Sequence, residues 1–418
     1  MLKQKNKPSA RPQPRKFNIA GSIIPAKHYY VDMTPQIKLL AALVEDETYF
    51  VINRPRQCGK TTALNFLAQS LQASGKYSPV LISFQGFAQR SDITEAEFYS
   101  DTAALIYEEL ALAVNGTAAA NGAAPIVDGR RDFFEWLHRL CESRKLVLLI
   151  DEIDAAPENV ILGFLANLRE RYLQRSRKPA PHSVCLAGVH DIKNLQARYR
   201  EEKHSRGSAS PFNIAIDYQL PPFSLANIRQ YYLQHTAATG QEFDEKVFAR
   251  VHEVTSGHPW LVSVLAKLLI EKIAPQRRQK IQRQHVDRAL QELIASRNAN
   301  FDSLFKNTHH PRLFPLVLDL LEGKRYRYNI QDDDIDLGVK YGLFAENDRH
   351  LSVANLIYVQ ALFQHFEREL KGLGIKEIVA ANHFVNRHGH LDFSLVLEKF
   401  QAFMQAKGGT VVKHSTFR

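Results

Sequence analysis

Short apolar runs alternate with longer segments of helical periodicity over the first half of the chain. The apolar runs predict buried strands at 48–53, 79–84, 145–150 and 183–188. Between them apolar residues recur every three or four positions, as at Leu64, Leu67 and Leu71, which predicts helices. Strands that alternate with helices favour a parallel sheet covered by helices on both faces. This half of the chain therefore predicts an α/β fold.

The pattern changes after residue 222. From 223 to 297 it is wholly helical and is broken once, at 257–259. From Pro311 a short helix, an acidic stretch and a second short helix precede a predicted hairpin over 343–352. Two helices followed by a hairpin are typical of a winged helix.

The net charge of +10 is concentrated at the two ends of the chain. Residues 1–31 hold seven basic residues and no acidic one, and residues 406–418 add three basic residues. The rest is neutral, because 54 − 10 leaves 44 basic residues against 44 acidic ones. Basic ends could contact nucleic-acid phosphates or could be solvated. Their Pro-, Gln- and Lys-rich composition is typical of disorder and favours the second interpretation.

Several classes of protein are disfavoured by composition. No apolar stretch approaches the roughly 18 residues of a membrane span, and no signal peptide begins the sequence. The three cysteines, Cys58, Cys141 and Cys185, are too few and too scattered for a disulfide framework or a zinc site. At 418 residues we expect two or three domains in a soluble, cytoplasmic protein.

The segment 54–61 follows a predicted strand and precedes a predicted helix. Its end, Gly59-Lys60-Thr61, matches the Walker A phosphate loop G-x-x-x-x-G-K-[ST], although Arg54 replaces the first glycine. In such a loop the glycine lets the backbone approach phosphates, Lys60 reaches the β- and γ-phosphates, and Thr61 binds Mg²⁺. A chance match on a surface loop is the alternative. The strand before it and the helix after it favour the phosphate loop.

An acidic pair follows the buried run at 146–150, which is the Walker B arrangement. Asp151 would hold Mg²⁺, and Glu152 would activate the attacking water as a general base. Asp154 either contacts the groups that bind the metal or caps the next helix. His190 follows the next strand and either senses the γ-phosphate or is an ordinary surface histidine.

Residues 50–62, Phe-Val-Ile-Asn-Arg-Pro-Arg-Gln-Cys-Gly-Lys-Thr-Thr, resemble the prokaryotic AAA-like ATPases, whose loop begins with Pro-Arg-Gln or Pro-Arg-Arg. The resemblance covers nearly the whole chain. It is also carried by 29–31, 151–154, 186–195, 210–215, 255–260, 356–358 and 389–392. These proteins are similar to the STAND branch of AAA+ ATPases and, more distantly, to archaeal Orc/Cdc6 ATPases.

The resemblance implies an α/β P-loop NTPase core, with a parallel sheet in an αβα sandwich, followed by an α-helical lid and a winged-helix domain. We accordingly divide the chain into a basic disordered arm (1–28), the ATPase core (29–221), the lid (222–298), the winged helix (299–372) and a helical C-terminal tail (373–418). It also implies that Pro259 packs against the nucleotide base. A helix-breaking turn is the alternative for this proline.

These patterns predict a slow ATPase that works as a molecular switch, with ATP and Mg²⁺ as its cofactors. The predicted nucleotide-binding residues are Pro55, Arg56, Gln57, Cys58, Gly59, Lys60, Thr61, Thr62, His190 and Pro259. Lys60 and Glu152 are the predicted catalytic residues, and Thr61 and Asp151 the predicted metal ligands. Two alternatives stay open: a DNA-associated ATPase of the Orc/Cdc6 kind, and a nucleotide-binding scaffold with negligible turnover.

The expected partners follow from the same resemblance. AAA+ relatives commonly complete their site with a neighbour's arginine, so we expect an ATP-dependent homo-oligomer. The candidate arginines are Arg169, Arg171, Arg198 and Arg200. The acidic stretch 332–336 argues against sequence reading by the predicted winged helix. We therefore expect nucleic-acid binding to be weak, non-specific and carried by residues 1–16. An unknown protein effector is expected, with no membrane and no nuclease activity.

Overall fold

The computed structural model describes residues 15–113, 125–188, 212, 214–296 and 298–372. The chain forms two compact units, Met1–Leu293 and Ile294–Arg418, which are described separately. His190, residues 114–124 and the predicted tail at 373–418 lie outside the described residues. Within the described ranges, every helix is too short or too polar to span a lipid bilayer.

A five-stranded parallel sheet forms the centre of the first unit. Its strands lie in the order β2 (Ser78–Ser83), β3 (Leu146–Asp151), β4 (Ser183–Gly188), β1 (Tyr49–Asn53) and β5 (Ile216–Asp217). The register pairs Ser83 with Asp151 and Asn53 with Gly188, so the carboxyl ends of β1 to β4 meet at one edge. Ligands of open parallel sheets bind at this edge. The predicted parallel sheet is confirmed, and only the short β5 was not anticipated.

Helices cover both faces of this sheet. They are α1 (Thr34–Glu45), α2 (Lys60–Ser74), α3 (Glu95–Ala113), α4 (Arg130–Ser143) and α5 (Glu158–Leu173). Alternate residues of β3 enter different cores: Val147 and Leu149 pack with α1 and α2, whereas Leu148 and Ile150 pack with α3, α4 and α5. A strand with a core on each face is apolar at every position, which explains the continuous run at 146–150.

A helical segment completes the first unit. It contains α6 (Leu225–Thr239), α7 (Glu245–Thr255), α8 (Pro259–Leu268) and α9 (Arg283–Ala295). The prediction of a single break at 257–259 is wrong. Gly240 ends α6 in the left-handed conformation, and α8 runs into a π-helical turn at Leu269–Ile273 before a loop leads to α9. The compact unit ends at Leu293, inside α9.

The N-terminal segment 15–30 is packed against the helical segment, so the disordered-arm prediction is wrong for residues 15–28. Phe17 is only 3% exposed and contacts the rings of Tyr29, Tyr231 and Tyr232. The indole Nε1 of Trp260 donates to the Ile19 carbonyl at 3.1 Å. Burial of the Phe17 ring and these contacts contribute to holding the segment in place against the entropy that is lost on ordering it.

The second unit contains helices, a hairpin and a final helix in that order. They are α10 (Ala299–Thr308), α11 (Phe314–Leu321), α12 (Asp333–Lys340), β6 (Phe344–Asn347), β7 (His350–Val353) and α13 (Leu356–Gly372). The hairpin tip is Asp348-Arg349, and both residues have positive φ. Gly338 lies against Phe344, where a Cβ would be 2.1 Å from the ring.

Candidate functional site

A cavity of about 800 Å³ lies at the carboxyl edge of the sheet. One wall is formed by residues 56–62 of the predicted phosphate loop, and another by Asp151 and Glu152. The N-terminal segment, the start of α8 and residues 220–223 also line it. The cavity therefore brings the predicted phosphate loop and the acidic pair that follows the buried run together in one place.

The backbone of the loop between β1 and α2 determines where its side chains lie. Gln57 and Gly59 have φ values of 60° and 85°, in the left-handed region that favours glycine. The Arg54 amide donates to the Gly188 carbonyl at 3.4 Å, which ties the start of the loop to β4. Helix α2 begins at Lys60 without a side-chain cap, so its first amides are available to an anion.

Lys60 is the most deeply buried cation of this loop, at 7% exposure. Its Nζ donates to the carbonyls of Arg54 at 2.6 Å and Pro55 at 3.0 Å. Burial lowers the pKa of the Lys60 ammonium, although nearby acidic groups oppose that shift. A phosphate would give this ammonium a negatively charged acceptor in place of two neutral ones.

Thr61 and Asp151 meet although they are 90 positions apart, because Asp151 ends β3 and Thr61 lies in the first turn of the helix that follows β1 at the same edge of the sheet. The Thr61 hydroxyl donates to Oδ2 of Asp151 at 2.5 Å, and Asp151 is 4% exposed. A hydroxyl beside a carboxylate is an oxygen ligand set of the kind that Mg²⁺ takes. No group of three or more His, Cys, Asp and Glu side chains in the described part of the chain could hold a metal. An ion here would need phosphate oxygens and water as its remaining ligands.

Glu152 lines the cavity directly after β3. Its φ is 51°, an uncommon conformation for a residue other than glycine, and such strain is concentrated at functional sites. Burial raises the pKa of the Glu152 carboxyl, and the negative charges of Asp151 and Asp154 raise it further. A carboxyl in such surroundings has a stronger tendency to take a proton than an exposed one.

Asp154 lies in the 3₁₀ turn Ile153–Ala155 rather than on α5. The cap of α5 is Pro157, which makes no side-chain hydrogen bond, so the helix-cap interpretation of Asp154 is wrong. This turn packs closely on the end of β4. A Cβ on Gly188 would be 2.6 Å from Oδ1 of Asp154, so only glycine fits at this position without displacement.

The start of α8 reaches the cavity through a tight backbone contact. Gly257 has a φ of 72°, its carbonyl accepts from the Phe223 amide at 2.8 Å, and a Cβ there would be 2.1 Å from the Phe223 carbonyl oxygen. His258 caps α8, and Pro259 and Trp260 line the cavity. The glycine thus allows the helix to begin at the cavity wall.

The AAA-like domain model matches residues 19–300 of the chain. The chain belongs to the AAA-like family. The resemblance drawn from residues 50–62 is thereby confirmed. The second unit lies almost entirely beyond the matched residues, so the family assignment rests on the first unit.

The solved structures that resemble this AAA-like protein share little sequence identity with it. The Walker-type ATPase of Pyrococcus abyssi matches with a TM-score of 0.56 at 14% identity, over 83% of this chain and 99% of that one. The RuvB Holliday junction branch migration motor of Thermotoga maritima reaches 0.41 at 13% identity, over 80% and 93%. Cdc6p from Pyrobaculum aerophilum reaches 0.39 at 16% identity, over 82% and 97%. Only the first score supports an argument, and it shows the P-loop NTPase-like fold. No curated protein matches the chain.

Sequence reasoning missed one wall of the AAA-like site. Residues 18–23, Tyr30 and Trp260 line the cavity, but only the neighbouring Pro259 was predicted to do so. The available signal was a group of apolar residues, Phe17, Ile19 and Ile23, inside a segment assigned to disorder. Of the candidate arginines, Arg169 and Arg171 lie on α5 away from the cavity lining, and Arg198 and Arg200 lie outside the described residues.

Proposed function

We propose that this AAA-like protein binds ATP with Mg²⁺ at the carboxyl edge of its sheet, hydrolyses it slowly and acts as a switch of the STAND type. The observation that carries the proposal is the hydrogen bond from Thr61 to Asp151, beside the buried ammonium of Lys60. A hydroxyl, a carboxylate and an ammonium at one helix N-terminus form a complementary site for a metal–phosphate group.

Each residue of the predicted site has a distinct part in this proposal. Lys60 exchanges the Arg54 and Pro55 carbonyls for phosphate oxygens, while residues 55–62 surround the phosphates. Thr61 and Asp151 would hold Mg²⁺, which supplies neutralisation of the phosphate charge. Glu152 takes a proton from the attacking water. Pro259 contacts the base, and His190 remains the predicted γ-phosphate sensor.

Switching would use the parts of the chain beyond the sheet. We interpret the helical segment α6 to α9 as the lid, because the start of α8 shares the cavity wall with the phosphate loop. We interpret the second unit as a winged helix, because helices, hairpin and final helix follow the order that such domains have. Occupation of the cavity would then alter the position of α8 directly.

Calorimetric titration with Mg²⁺ and ATP tests the nucleotide site. Lys60→Ala should weaken binding by at least about tenfold, since an ionic hydrogen bond to phosphate is lost. Lys38→Ala, which removes an exposed ammonium from α1, is the matched control and should leave affinity unchanged. Equal affinity in the Lys60 variant would exclude this lysine from the site. No binding by the unaltered protein would reject the proposal.

Steady-state phosphate release distinguishes a slow ATPase from a nucleotide-binding scaffold. A rate that stays at background while ATP binds would favour the scaffold. Light scattering with and without ATP tests the proposed homo-oligomer, in which one of Arg169, Arg171, Arg198 and Arg200 is offered to a neighbouring site. An unchanged mass would count against it.

The DNA-associated alternative is weakened by charge in the second unit. Helix α12 begins with Asp333, Asp334 and Asp336 in its first turn, where a groove-reading helix presents donors and cations. We propose that any DNA binding is non-specific, salt-sensitive and carried by residues 1–16. Deletion of these residues should abolish binding while ATPase activity persists. Tight binding to a defined sequence after this deletion would reverse the ranking of the two functions.

A further inference from the structure

Cys58 lies in the phosphate loop opposite a histidine of the helical segment. Its Sγ is 3.7 Å from Nε2 of His258, and both residues belong to the first compact unit. Cys58 is only 8% exposed, but it lines the cavity, which gives small molecules a route to the thiol.

The hydrogen bond by which His258 caps α8 determines which of its two ring nitrogens carries the proton. The Leu261 amide donates to Nδ1 of His258 at 3.4 Å, so that nitrogen is the acceptor. We assign the ring proton to Nε2 on this basis, since a neutral imidazole has one donor and one acceptor nitrogen. Nε2 then donates toward the Cys58 sulfur, which favours a thiolate there.

The three cysteines of the chain differ in their electrostatic surroundings. Burial raises the pKa of the Cys58 thiol, but His258, Arg54 and Lys60 together outweigh burial and lower it below the ordinary value. Burial raises the pKa of Cys141 to about 12, and that of Cys185 well above its ordinary value. Cys141 is nevertheless more exposed than Cys58. Exposure therefore favours reaction at Cys141, whereas thiolate character favours reaction at Cys58.

We propose that Cys58 is a site of reversible oxidation by hydrogen peroxide and small hydroperoxides, with His258 as its positioning residue. The sulfur attacks one peroxide oxygen, so an S–O bond forms as the O–O bond breaks. The sulfur loses two electrons to the peroxide, and the thiol proton ends on the departing oxygen, which leaves as water from hydrogen peroxide or as an alcohol from an organic hydroperoxide. The product is a sulfenic acid, which thiols reduce.

Oxidation of Cys58 should close the cavity to phosphate, a consequence that rests on the proposed function. A 3.7 Å separation between sulfur and nitrogen leaves no space for another oxygen between them. The new oxygen must therefore displace His258 or project into the cavity. Either position interferes with phosphates held by residues 55–62.

Sulfenic-acid trapping tests the modification site without reference to nucleotide. The full chain is treated with hydrogen peroxide and dimedone, and labelling at each cysteine is followed by peptide mass spectrometry. We expect Cys58 to be labelled at least about tenfold faster than Cys141, because reactivity follows thiolate character. Labelling of Cys141 at an equal or higher rate would overturn the proposal, since exposure would then decide reactivity.

The role of His258 is tested with His258→Asn, which retains a side chain able to cap α8. The Cys58 labelling rate should fall several-fold, and the pH midpoint of its alkylation by iodoacetamide should rise. His252→Asn on α7 is the matched control and should change neither quantity. An unchanged rate and midpoint in the His258 variant would remove the histidine from the proposal.

Nucleotide affinity before and after peroxide tests the proposed blockage. The unaltered chain should lose at least about tenfold in ATP affinity and recover it with dithiothreitol. Cys58→Ser should show no change relative to its own untreated sample. Labelled Cys58 with unaltered affinity would overturn the blockage. If the untreated chain binds no ATP, the proposed function fails, and the trapping rates still decide whether Cys58 is the modification site.

Discussion

Carboxylates are concentrated at one turn in each compact unit, at 151–154 in the first and at 332–336 in the second. In the first unit Asp151 is buried and accepts the Thr61 hydroxyl, and Glu152 lines a cavity. In the second unit the exposed Asp332 accepts the amides of Asp334 and Ile335 and so caps α12. Similar sequences of acidic residues thus occupy unlike environments.

The difference between the two turns lies in what precedes them. A strand with a core on each face places 151–154 at the edge where parallel strands end, so Asp151 is buried and Glu152 and Asp154 are half-buried. The acidic stretch of the second unit begins a short amphipathic helix, where carboxylates satisfy free amides and the helix dipole. Acidity by itself therefore does not indicate a site, whereas acidity after a buried strand supports the site proposed above.

Among the variants that test the two acidic turns, Glu152→Gln is expected to have the largest effect. It should lower the ATP hydrolysis rate by about 100-fold or more, because a carboxamide cannot take the proton of water. ATP affinity should stay within about threefold, since the amide keeps the size of the side chain. Glu346→Gln, at an exposed position of β6, is the control from the second unit. Phosphate release at the unaltered rate in the Glu152 variant would show that it is not the base.

The pH dependence of kcat/KM reports the pKa of Glu152 in the free protein and so tests the environment of the first acidic turn. The pKa of Glu152 is raised by burial and by Asp151 and Asp154, so this carboxyl stays protonated to a higher pH than an ordinary glutamate. Activity that needs the carboxylate should therefore fall as pH decreases, with a midpoint above 4.5 and about tenfold per unit below it. A midpoint at or below 4.5 would contradict the role of burial here.

Gly188→Ala perturbs the first turn without touching its carboxylates. The added Cβ would be 2.6 Å from Oδ1 of Asp154 and 2.9 Å from Ile153, so we expect about 1–3 kcal/mol of destabilisation from overpacking. Gly163→Ala on α5 is matched, since its nearest side-chain atoms would be 4.0 Å away. Urea unfolding measures both. Equal stability of the two variants would show that the close approach at β4 is not needed.

Asp332→Ala should have the smallest effect and should leave ATPase activity unchanged. Loss of the cap that holds Asp334 and Ile335 should cost about 1 kcal/mol, measured by thermal unfolding. Asp333→Ala removes the neighbouring exposed carboxylate and should cost at most about 0.5 kcal/mol. A loss of ATP hydrolysis in the Asp332 variant would mean that the two acidic turns are not as distinct as their environments indicate.

The sequence predicted those features that depend on local patterns. The run 146–150 identifies β3 because both faces of that strand are buried, and Lys60 and Asp151 follow from residue types at strand ends. Features that depend on single contacts between distant residues were not predictable. Phe17 packs against the rings of Tyr231 and Tyr232 in a distant part of the chain, and Cys58 meets His258, which is 200 positions away. Such contacts leave no periodic pattern of apolar residues in the sequence.

Trp260, whose indole donates a hydrogen bond to Ile19, can serve as an intrinsic fluorescent probe of the cavity. The chain has two tryptophans, Trp136 and Trp260. Trp136 packs beside the aromatic core of the sheet, whereas Trp260 lines the cavity with its indole N–H on the N-terminal segment. Indole emission depends on the polarity around the ring. With Trp136→Phe, the fluorescence of the remaining tryptophan would follow filling of the cavity in real time, without any attached dye.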